Sequence, residues 1–510
     1  MNVNKIEILF EDEKVKLDIN NECQIKKTHF SFAKNQIILS SCDQVQEIKL
    51  YFDVYFKSNT LFKGDAFERT YATNRFVDIK SAKYLPWYFI ALIENQYLCY
   101  GVKTNPKALC YFGVNEDYQL YLVCNVRNGS HGVKLNGRTL NITSVVTSTY
   151  KKNEILFDVE CDFCKKMLNK NPLLTKEVIY GFNNWYYAYG ESSQQEIIND
   201  IDLLASLTKD NKARPYMVID DCWQKYPCSG PWDQLNKNFT SLKELVDYAN
   251  KKYIKMGIWM RPLTYHASIN FPDHWILHKN LNDDNEHVIL DFSIPEVMDY
   301  ILQQISGVLD NGFTLLKYDF VTRDILGVYG GFSSDLVKDF DWSFSDTSKT
   351  NIELIEYLYK SIKEVAKDTL LIGCNALSHV IVGYAEMQRI GDDTSGLEWE
   401  RTRDYGVNTL TNRLSQNNIF YQIDADCVGI IDDKISWSKN KQWMDLLSYT
   451  DSPLFISIKP SSLTSQIKKD IIKAFKINAD RNNTIYPIFE GDNRLASCWM
   501  INGENKEFYW

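Results

Sequence analysis

The sequence predicts an α/β fold: a (β/α)8 TIM barrel preceded by an antiparallel β-sandwich and followed by a small β region. Three observations predict it. Residues 1 to about 172 hold short segments of alternating polarity separated by turn residues, with little helical period. From about residue 178, strand-like runs alternate with amphipathic helical segments. At 510 residues the chain is too long for one ordinary domain. The expected divisions are 1–172, 173–480 and 481–510.

In chain order, residues 47–56, 118–124 and 154–160 read as strands by their alternation, Asn136-Gly137 marks a turn, and Asn171-Pro172 closes the first region. Eight strands are expected next, at 178–186, 216–220, 256–260, 314–319, 370–374, 387–391, 419–424 and 453–458. Helices lie between them. Ser193-x-x-Glu196 reads as a capping box ahead of Ile197, Ile198, Ile201 and Leu204. A segment at 242–253 follows the second strand; one at 295–309 starts on a proline and stops before Asn311-Gly312. Thr350-x-x-Glu353 caps a helix running to 366, and segments at 398–414, 441–447 and 465–477 follow later strands. The link after the fifth strand carries no clear helix. Residues 484–489 and 495–500 return to β character. A doubly wound open sheet is the alternative, but no Gly-rich phosphate loop marks a dinucleotide-binding half.

Composition excludes several function classes. The chain is 45% hydrophobic and 24% charged, as globular proteins are. A net charge of -9 argues against nucleic acid and against anionic membranes. No run of 18 apolar residues is present, and residues 1–16 have no signal-peptide core, so a cytoplasmic protein is expected. The twelve cysteines are scattered, which suits reduced thiols. Only Cys161 and Cys164 form a CxxC, and nothing completes a zinc set, so neither metal nor cofactor is expected. The 31 Tyr and 12 Trp suit a protein that stacks rings on sugars.

The chemistry is read at the carboxyl ends of the strands, the working face of a barrel. In Leu315-Leu316-Lys317-Tyr318-Asp319-Phe320, a cation and a carboxylate two residues apart point to one side of a buried strand. Burying two charges costs several kcal/mol unless they are paired or working. A structural ion pair is the plain reading. The other strand ends carry Trp185 and Tyr186, Asp220-Asp221-Cys222-Trp223, Trp259-Met260-Arg261, Cys374-Asn375, Arg389 with Asp392-Asp393, and Asp424-Ala425-Asp426-Cys427. Taken singly, Asp220-Asp221 could cap a loop, Arg389 and Asp393 could form a structural pair, Trp185 and Trp259 could be core, and the cysteines could be packed thiols. His266, His274 and His278 read as a solvated cluster after the third strand. Taken together, carboxylates, cations and aromatic rings on one face suit a sugar: charged groups fork onto hydroxyl pairs and rings cover the apolar face of the pyranose. Cleaving a glycosidic bond needs two carboxyls flanking it. Lys317 would keep Asp319 ionised, and a neighbouring carboxylate would raise the pKa of the acid.

These residues fall into motifs: Gly181-Phe-Asn-Asn-Trp185, Ile219-Asp-Asp-Cys-Trp-Gln224, Gly257-Ile-Trp-Met-Arg-Pro262, Leu316-Lys-Tyr-Asp-Phe320, Arg389-Ile-Gly-Asp-Asp393 and Asp424-Ala-Asp-Cys427. Over roughly residues 178–460 the chain resembles the α-galactosidase clan, glycoside hydrolase families 27 and 36, and its long N-terminal β region is closer to family 36. The resemblance implies a retaining exo-glycosidase acting on terminal α-linked galactose. Asp319 matches the nucleophile and Asp393 the acid/base, with Asp392 as the alternative if the motif is aligned one residue earlier. The implied sugar ligands are Asp220 and Asp221 for the 4- and 6-hydroxyls, Lys317 for the 3- and 4-hydroxyls and Arg389 for the 2-hydroxyl. Trp185 and Trp223 match pocket-wall aromatics, and Trp259, Cys374 and Asn375 complete the implied site. In a retaining site the two carboxyls stand ~5–5.5 Å apart. Three features depart from the clan: Asn375 after Cys374, Met260-Arg261 after Gly-Ile-Trp, and the short C-terminal β region. The same machinery on α-N-acetylgalactosamine or β-L-arabinopyranose, galactosyl transfer, and a non-catalytic carbohydrate-binding barrel are the rivals. The expected partner is a small-molecule or oligosaccharide substrate, with no nucleic acid and no membrane; homo-oligomerisation is left open.

Overall fold

The computed structural model describes residues 1–71, 73–279, 286–329, 337, 341–489 and 494–510. The N-terminal region forms two antiparallel sheets. One runs in the order Lys14–Asp18, Val3–Phe10, Gln44–Tyr55, Gln119–Asn125, Leu109–Val114, Leu85–Pro86, with Val133–Lys134 beside Gln44–Tyr55. The other runs Glu22–Ile25, Thr28–Ala33, Gln36–Ser41, Thr139–Lys151, Gln96–Val102, Tyr88–Ile93, Leu61–Gly64, Val77–Asp78. Alternate apolar side chains of the two sheets meet in one core. Phe32 packs edge-on against Phe52 at 5.8 Å, and Phe89 against Phe112 at 5.4 Å.

One expected strand is corrected. Residues 156–160 of this stretch open a helix, Leu156–Met167. Its buried positions are Leu156, Val159, Glu160, Phe163, Cys164 and Met167, which is helical spacing. A window ending at residue 160 catches only the alternation of its first turn.

The middle of the chain forms a nine-stranded parallel sheet, numbered here in chain order: β1 Tyr180–Asn183, β2 Tyr216–Ile219, β3 Lys255–Met260, β4 Leu315–Tyr318, β5 Leu370–Gly373, β6 Met387–Arg389, β7 Gln422–Asp424, β8 Cys427–Ile430 and β9 Leu454–Ile458. All eight expected strands form, and β8 is an addition. The spatial order is β7-β6-β5-β4-β3-β2-β1-β9-β8. The two edges, β7 and β8, are consecutive in the chain and separated only by Ala425 and Asp426, so the sheet curls back towards its own start. The strand expected at 419–424 forms over Gln422–Asp424, and Asp426, between it and β8, takes a left-handed backbone, φ 71°.

Most of the helical signals hold. The Ser193 hydroxyl accepts from the Glu196 amide and opens Gln194–Thr208. Pro295 begins Pro295–Leu309, and Thr350 with Glu353 forms a complete capping box on Asn351–Ala366. The helix expected at 398–414 is interrupted by a π turn, Thr402–Val407. Residues 374–386 contain no helix. Three short strands, Ile485–Ile488, Cys498–Ile501 and Glu504–Glu507, form the C-terminal sheet. No helix among the described residues is long and apolar enough to cross a membrane.

The N-terminal β region meets the parallel sheet through residues 65–71. Thr70 bridges Gly391 just after β6: the Thr70 amide donates to the Ile390 carbonyl at 2.8 Å, and the Asp392 amide to the Thr70 carbonyl at 3.1 Å. Gly391 has no room for a side chain, because a Cβ there would lie 2.0 Å from the Tyr405 carbonyl of the π turn.

After β1, the Tyr187 hydroxyl donates to the buried carboxyl of Asp200 in the helix Gln194–Thr208. Burial pushes Asp200 up to about 7; Tyr187 opposes this and Glu196 adds to it. In the unfolded chain an Asp titrates near ~3.9. The folded form therefore binds the proton more tightly, and the associated stability is lost as pH rises from about 4 to about 7. Urea unfolding should show Asp200→Asn gaining on the wild type across that window. A difference between the two that does not change with pH would show that Asp200 does not titrate there.

Candidate active site

Lys317 and Asp319 sit where the sequence places them, at the carboxyl end of β4, but they do not pair with each other. Lys317 Nζ donates to Asp220 Oδ2 at 2.8 Å, reaching past β3 to the end of β2. Asn183 Nδ2, at the end of β1, donates to the same oxygen at 2.7 Å. Burial works against the ammonium; Asp220, followed by Cys374 and Asp319, outweighs it and raises Lys317 well above its ordinary value. The plain reading of a Lys317–Asp319 ion pair thus gives way to a Lys317–Asp220 pair. Each β4 side chain turns to the strand end that offers its hydrogen-bond complement.

Asp319 is aimed by two N–H donors. Phe320 N donates to Oδ1 at 2.7 Å and Trp259 Nε1, from β3, to Oδ2 at 3.2 Å. Trp259 is buried here because its indole has a carboxylate to satisfy. Trp223 does not line the cavity. It is fully buried behind Trp259, donating to the Trp259 carbonyl at 3.0 Å and packing against Trp232 at 5.9 Å. Arg261, one of the departures from the clan, also lies behind the site. It forks onto Asp324, with Nε 2.9 Å from Oδ2 and Nη2 2.5 Å from Oδ1, and its guanidinium lies 4.5 Å from the centre of the Phe320 ring.

Asp221 is held by its own loop. Oδ1 accepts from Cys222 N, Gln224 Nε2 and Cys228 N, and Oδ2 from the Cys228 thiol at 2.8 Å. Three residues beside the charged groups take left-handed backbones although none is glycine: Cys222 after Asp221 (φ 76°), Phe320 after Asp319 (φ 63°) and Asp426 (φ 71°). Such conformations cost on the order of 1–3 kcal/mol each and concentrate where a surrounding structure aims functional groups.

The third cluster is on β6. Arg389 is buried. Its Nη2 lies 3.1 Å from Asp393 Oδ1 and 2.7 Å from Asp426 Oδ2. Asp426 also accepts from Tyr186 Oη at 2.5 Å and Thr394 N at 2.7 Å. Burial, only partly countered by Arg389, raises Asp426. Asp393 goes the other way. Burial pushes its carboxyl up, but Arg389, Arg69, Lys317 and Arg401 outweigh burial and hold it below the usual carboxylate range. The expectation that a carboxylate neighbour raises the acid is therefore reversed, because cations surround Asp393. Asp392 pairs with Arg69 at 3.4 Å and Arg401 at 3.3 Å.

Trp185, Asp220, Asp221, Trp259, Lys317, Asp319, Cys374 and Asp393 line one cavity of about 110 Å³, together with Arg69, Tyr186, Cys228 and Phe320. Arg389 and Asn375 are buried behind it; Asn375 Nδ2 donates to Glu68 Oε1 at 3.2 Å. Phe320 ends the β4 motif and Tyr186 follows the β1 motif, and the resemblance gives neither a role. Arg69 is missing from the expected site because it lies in the N-terminal β region, 324 residues before Asp393. Cys228 lies in a loop without a pattern. The expectation of a solvated His266, His274 and His278 cluster is corrected for His278. It is buried, its Nε2 lies 2.9 Å from the Ile325 carbonyl, and burial lowers it to about 4. No group of side chains suited to hold a metal occurs among the described residues.

No family model matches the chain. Among curated proteins it is 30% identical over 165 residues to the bifunctional α-galactosidase/sucrose kinase AgaSK of Mediterraneibacter gnavus, covering 29% of this chain and 17% of that protein. It is 26% identical over 151 residues to the α-galactosidase AgaA of Geobacillus stearothermophilus, covering 27% of this chain and 20% of that one. The matched stretches span a fifth or less of these relatives. Among solved structures, the Thermus thermophilus α-galactosidase TtGalA in complex with p-nitrophenyl α-D-galactopyranoside matches with a TM-score of 0.62 at 14% identity, over 99% of this chain and 98% of that one. The family 36 α-galactosidase AgaA matches with a TM-score of 0.63 at 14% identity, over 93% of this chain and 71% of that one. The resemblance to family 36 α-galactosidases read from the motifs is borne out, in sequence over part of the chain and in fold over nearly all of it.

The Lys317–Asp220 pair is open to a double-mutant test. Lys317→Met leaves a buried carboxylate with one partner fewer and should destabilise the protein by about 3–5 kcal/mol. Adding Asp220→Asn should recover part of that loss in urea unfolding. Strictly additive losses would show that the two charges do not depend on each other.

Proposed function

We propose that this chain is a retaining exo-glycosidase that removes terminal α-linked galactose from oligosaccharides or glycoconjugates. The observation that carries the reading is the convergence of two independently held carboxylates, Asp319 and Asp393, on one small cavity whose lining also includes Lys317, Asp220 and Asp221. We read the curled parallel sheet as a closed (β/α)8 barrel spanning 173–480, with β7 and β8 as two pieces of a kinked seventh strand. On this layout, residues 1–172 are a β-sandwich domain and 481–510 a small C-terminal β region.

In the first step an Asp319 oxygen attacks the anomeric carbon as the glycosidic C–O bond breaks, and the departing oxygen takes the proton of Asp393. In the second, water gives a proton to Asp393 and its oxygen to the anomeric carbon, releasing Asp319. Phe320 N and Trp259 Nε1 aim the nucleophile. Asp393 is anchored through Oδ1, and no described side chain bonds Oδ2, which is left to face the leaving group. Lys317, Asp220 and Asp221 take sugar hydroxyls, Trp185 supplies an aromatic wall, and Arg389 backs the acid/base. Cys374 lines the cavity, whereas Asn375 and Trp223 support it from behind. The solved α-galactosidases of similar fold bound to stachyose and raffinose support an oligosaccharide substrate.

An aryl α-galactoside tests the nucleophile: Asp319→Ala should show no turnover above background, and substantial remaining activity would sink that assignment. Asp393→Ala should lose ~10²–10⁴-fold on an oligosaccharide and far less on a dinitrophenyl leaving group that needs no proton. Equal losses on both would remove Asp393 from the acid role. A panel of aryl α-galactoside, α-N-acetylgalactosaminide and β-L-arabinopyranoside should favour the first; preference for another member would reassign the sugar but keep the mechanism.

A further inference from the structure

The structure assigns Arg69, supplied by the N-terminal β region, as a positioning residue for Asp393. The inference rests on the glycosidase reading above and extends it outside the strand ends. Arg69 is nearly buried, and its Nη1 lies 3.3 Å from Asp393 Oδ1 and 3.4 Å from Asp392 Oδ1. It meets the same oxygen that Arg389 Nη2 approaches at 3.1 Å. Two guanidiniums of opposite origin, one from β6 and one from the sandwich, thus converge on one carboxylate oxygen and turn the other towards the cavity. The Tyr71 hydroxyl accepts from Arg69 Nε at 3.2 Å and in turn donates to Glu68 at 3.3 Å, so the guanidinium is held in place.

The strap that carries Arg69 is fastened at each end. Behind it, the fully buried Arg413 lies 3.0 Å from Asp65 Oδ1 and donates to the Glu68 carbonyl at 2.8 Å and the Ile390 carbonyl at 3.0 Å. Gln416 and Trp87 donate to the same Asp65 carboxylate at 2.8 and 3.0 Å. In front, Thr70 bridges Gly391 through the main chain, and its hydroxyl lies 2.7 Å from that of Thr409. Residues 65–71 and the turn that carries Asp392 and Asp393 therefore form one unit, and Arg69 cannot shift without moving the carboxylates it holds.

The charges facing Asp393 come from every side. β6 and its turn contribute Arg389 and Asp392, the short helix Trp399–Arg401 contributes Arg401, and β4 contributes Lys317. The β7–β8 break contributes Asp426, and the turn after β1 contributes Tyr186 and Tyr189. Removing one cation from this set weakens the hold on the ionised form, and Asp393 then keeps its proton to higher pH.

Kinetics of the full chain test the assignment. Arg69→Gln should lower kcat/KM on an oligosaccharide about 10-fold or more, spare a dinitrophenyl glycoside, and move the alkaline limb of the kcat/KM–pH profile upwards by about one unit. Arg69→Lys keeps a cation in the buried slot and so guards against misfolding. It should leave the limb in place but lose part of the rate on poor leaving groups, because one ammonium cannot span Tyr71, Asp392 and Asp393. Free guanidinium should restore an Arg69→Gly variant. A folded Arg69→Gln enzyme with the wild-type limb, an equal loss on every leaving group, or a Lys variant identical to wild type on all of them would overturn the assignment. Wild-type protein inactive on every glycoside would instead sink the glycosidase reading and take this inference with it.

Discussion

A buried ammonium must have a carboxylate, and the ion pair between Lys317 and Asp220 is the constraint from which the rest of the site follows. The two charges come from strands that are not neighbours, β4 and β2, with β3 between them. Their 2.8 Å contact therefore ties two non-adjacent strand ends together across β3. Once Asp220 is committed to Lys317 and Asn183, Asp319 is left to find other donors, and Trp259 and Phe320 provide them. Breaking one partner of such a pair costs more than the pair is worth in isolation, since the survivor stays buried without compensation. The arrangement is specific because its failures are costly.

The same logic runs outward in layers. Trp259 can turn its indole to Asp319 because Trp223 takes the Trp259 carbonyl and fills the space behind. Phe320 can hold its left-handed backbone because Arg261, fastened to Asp324, stacks on its ring. Asp426 can hold its own because Tyr186, Thr394 and Arg389 all meet its carboxylate. At Phe320 and Asp426 the left-handed backbone is held by polar partners from other parts of the chain, as a site of preorganised geometry requires.

Asp393 differs from Asp319 in kind. One carboxylate is aimed by neutral N–H donors and the other by cations, and the cations outweigh the burial that would otherwise push Asp393 up. Two carboxyls lining one cavity in unlike surroundings is the arrangement from which an acid/base and a nucleophile can be separated. The N-terminal β region shapes the surroundings of Asp393. Through residues 65–71 it contributes one of the two guanidiniums on Asp393 and a main-chain bridge to the turn that bears it.

The sequence by itself determined the alternation of strands and helices, the helix starts at Ser193, Pro295 and Thr350, and the identity of most side chains at the strand ends. These are local properties, set by period, capping chemistry and residue type. It also placed Lys317 and Asp319 on one strand end, because a period of two leaves no choice. Which partner each charge takes was decided only in three dimensions. Lys317 turned to Asp220 and not to its sequence neighbour, since pairing across strands satisfies both groups and pairing along the strand satisfies neither as well. The helix at Leu156–Met167 and the strand β8 escaped because each depends on contacts beyond a short window. Arg69 escaped for the strongest reason. Nothing about an arginine in a β-rich segment marks it for a turn 324 residues later, and only the packing of one β region against another brings the two together.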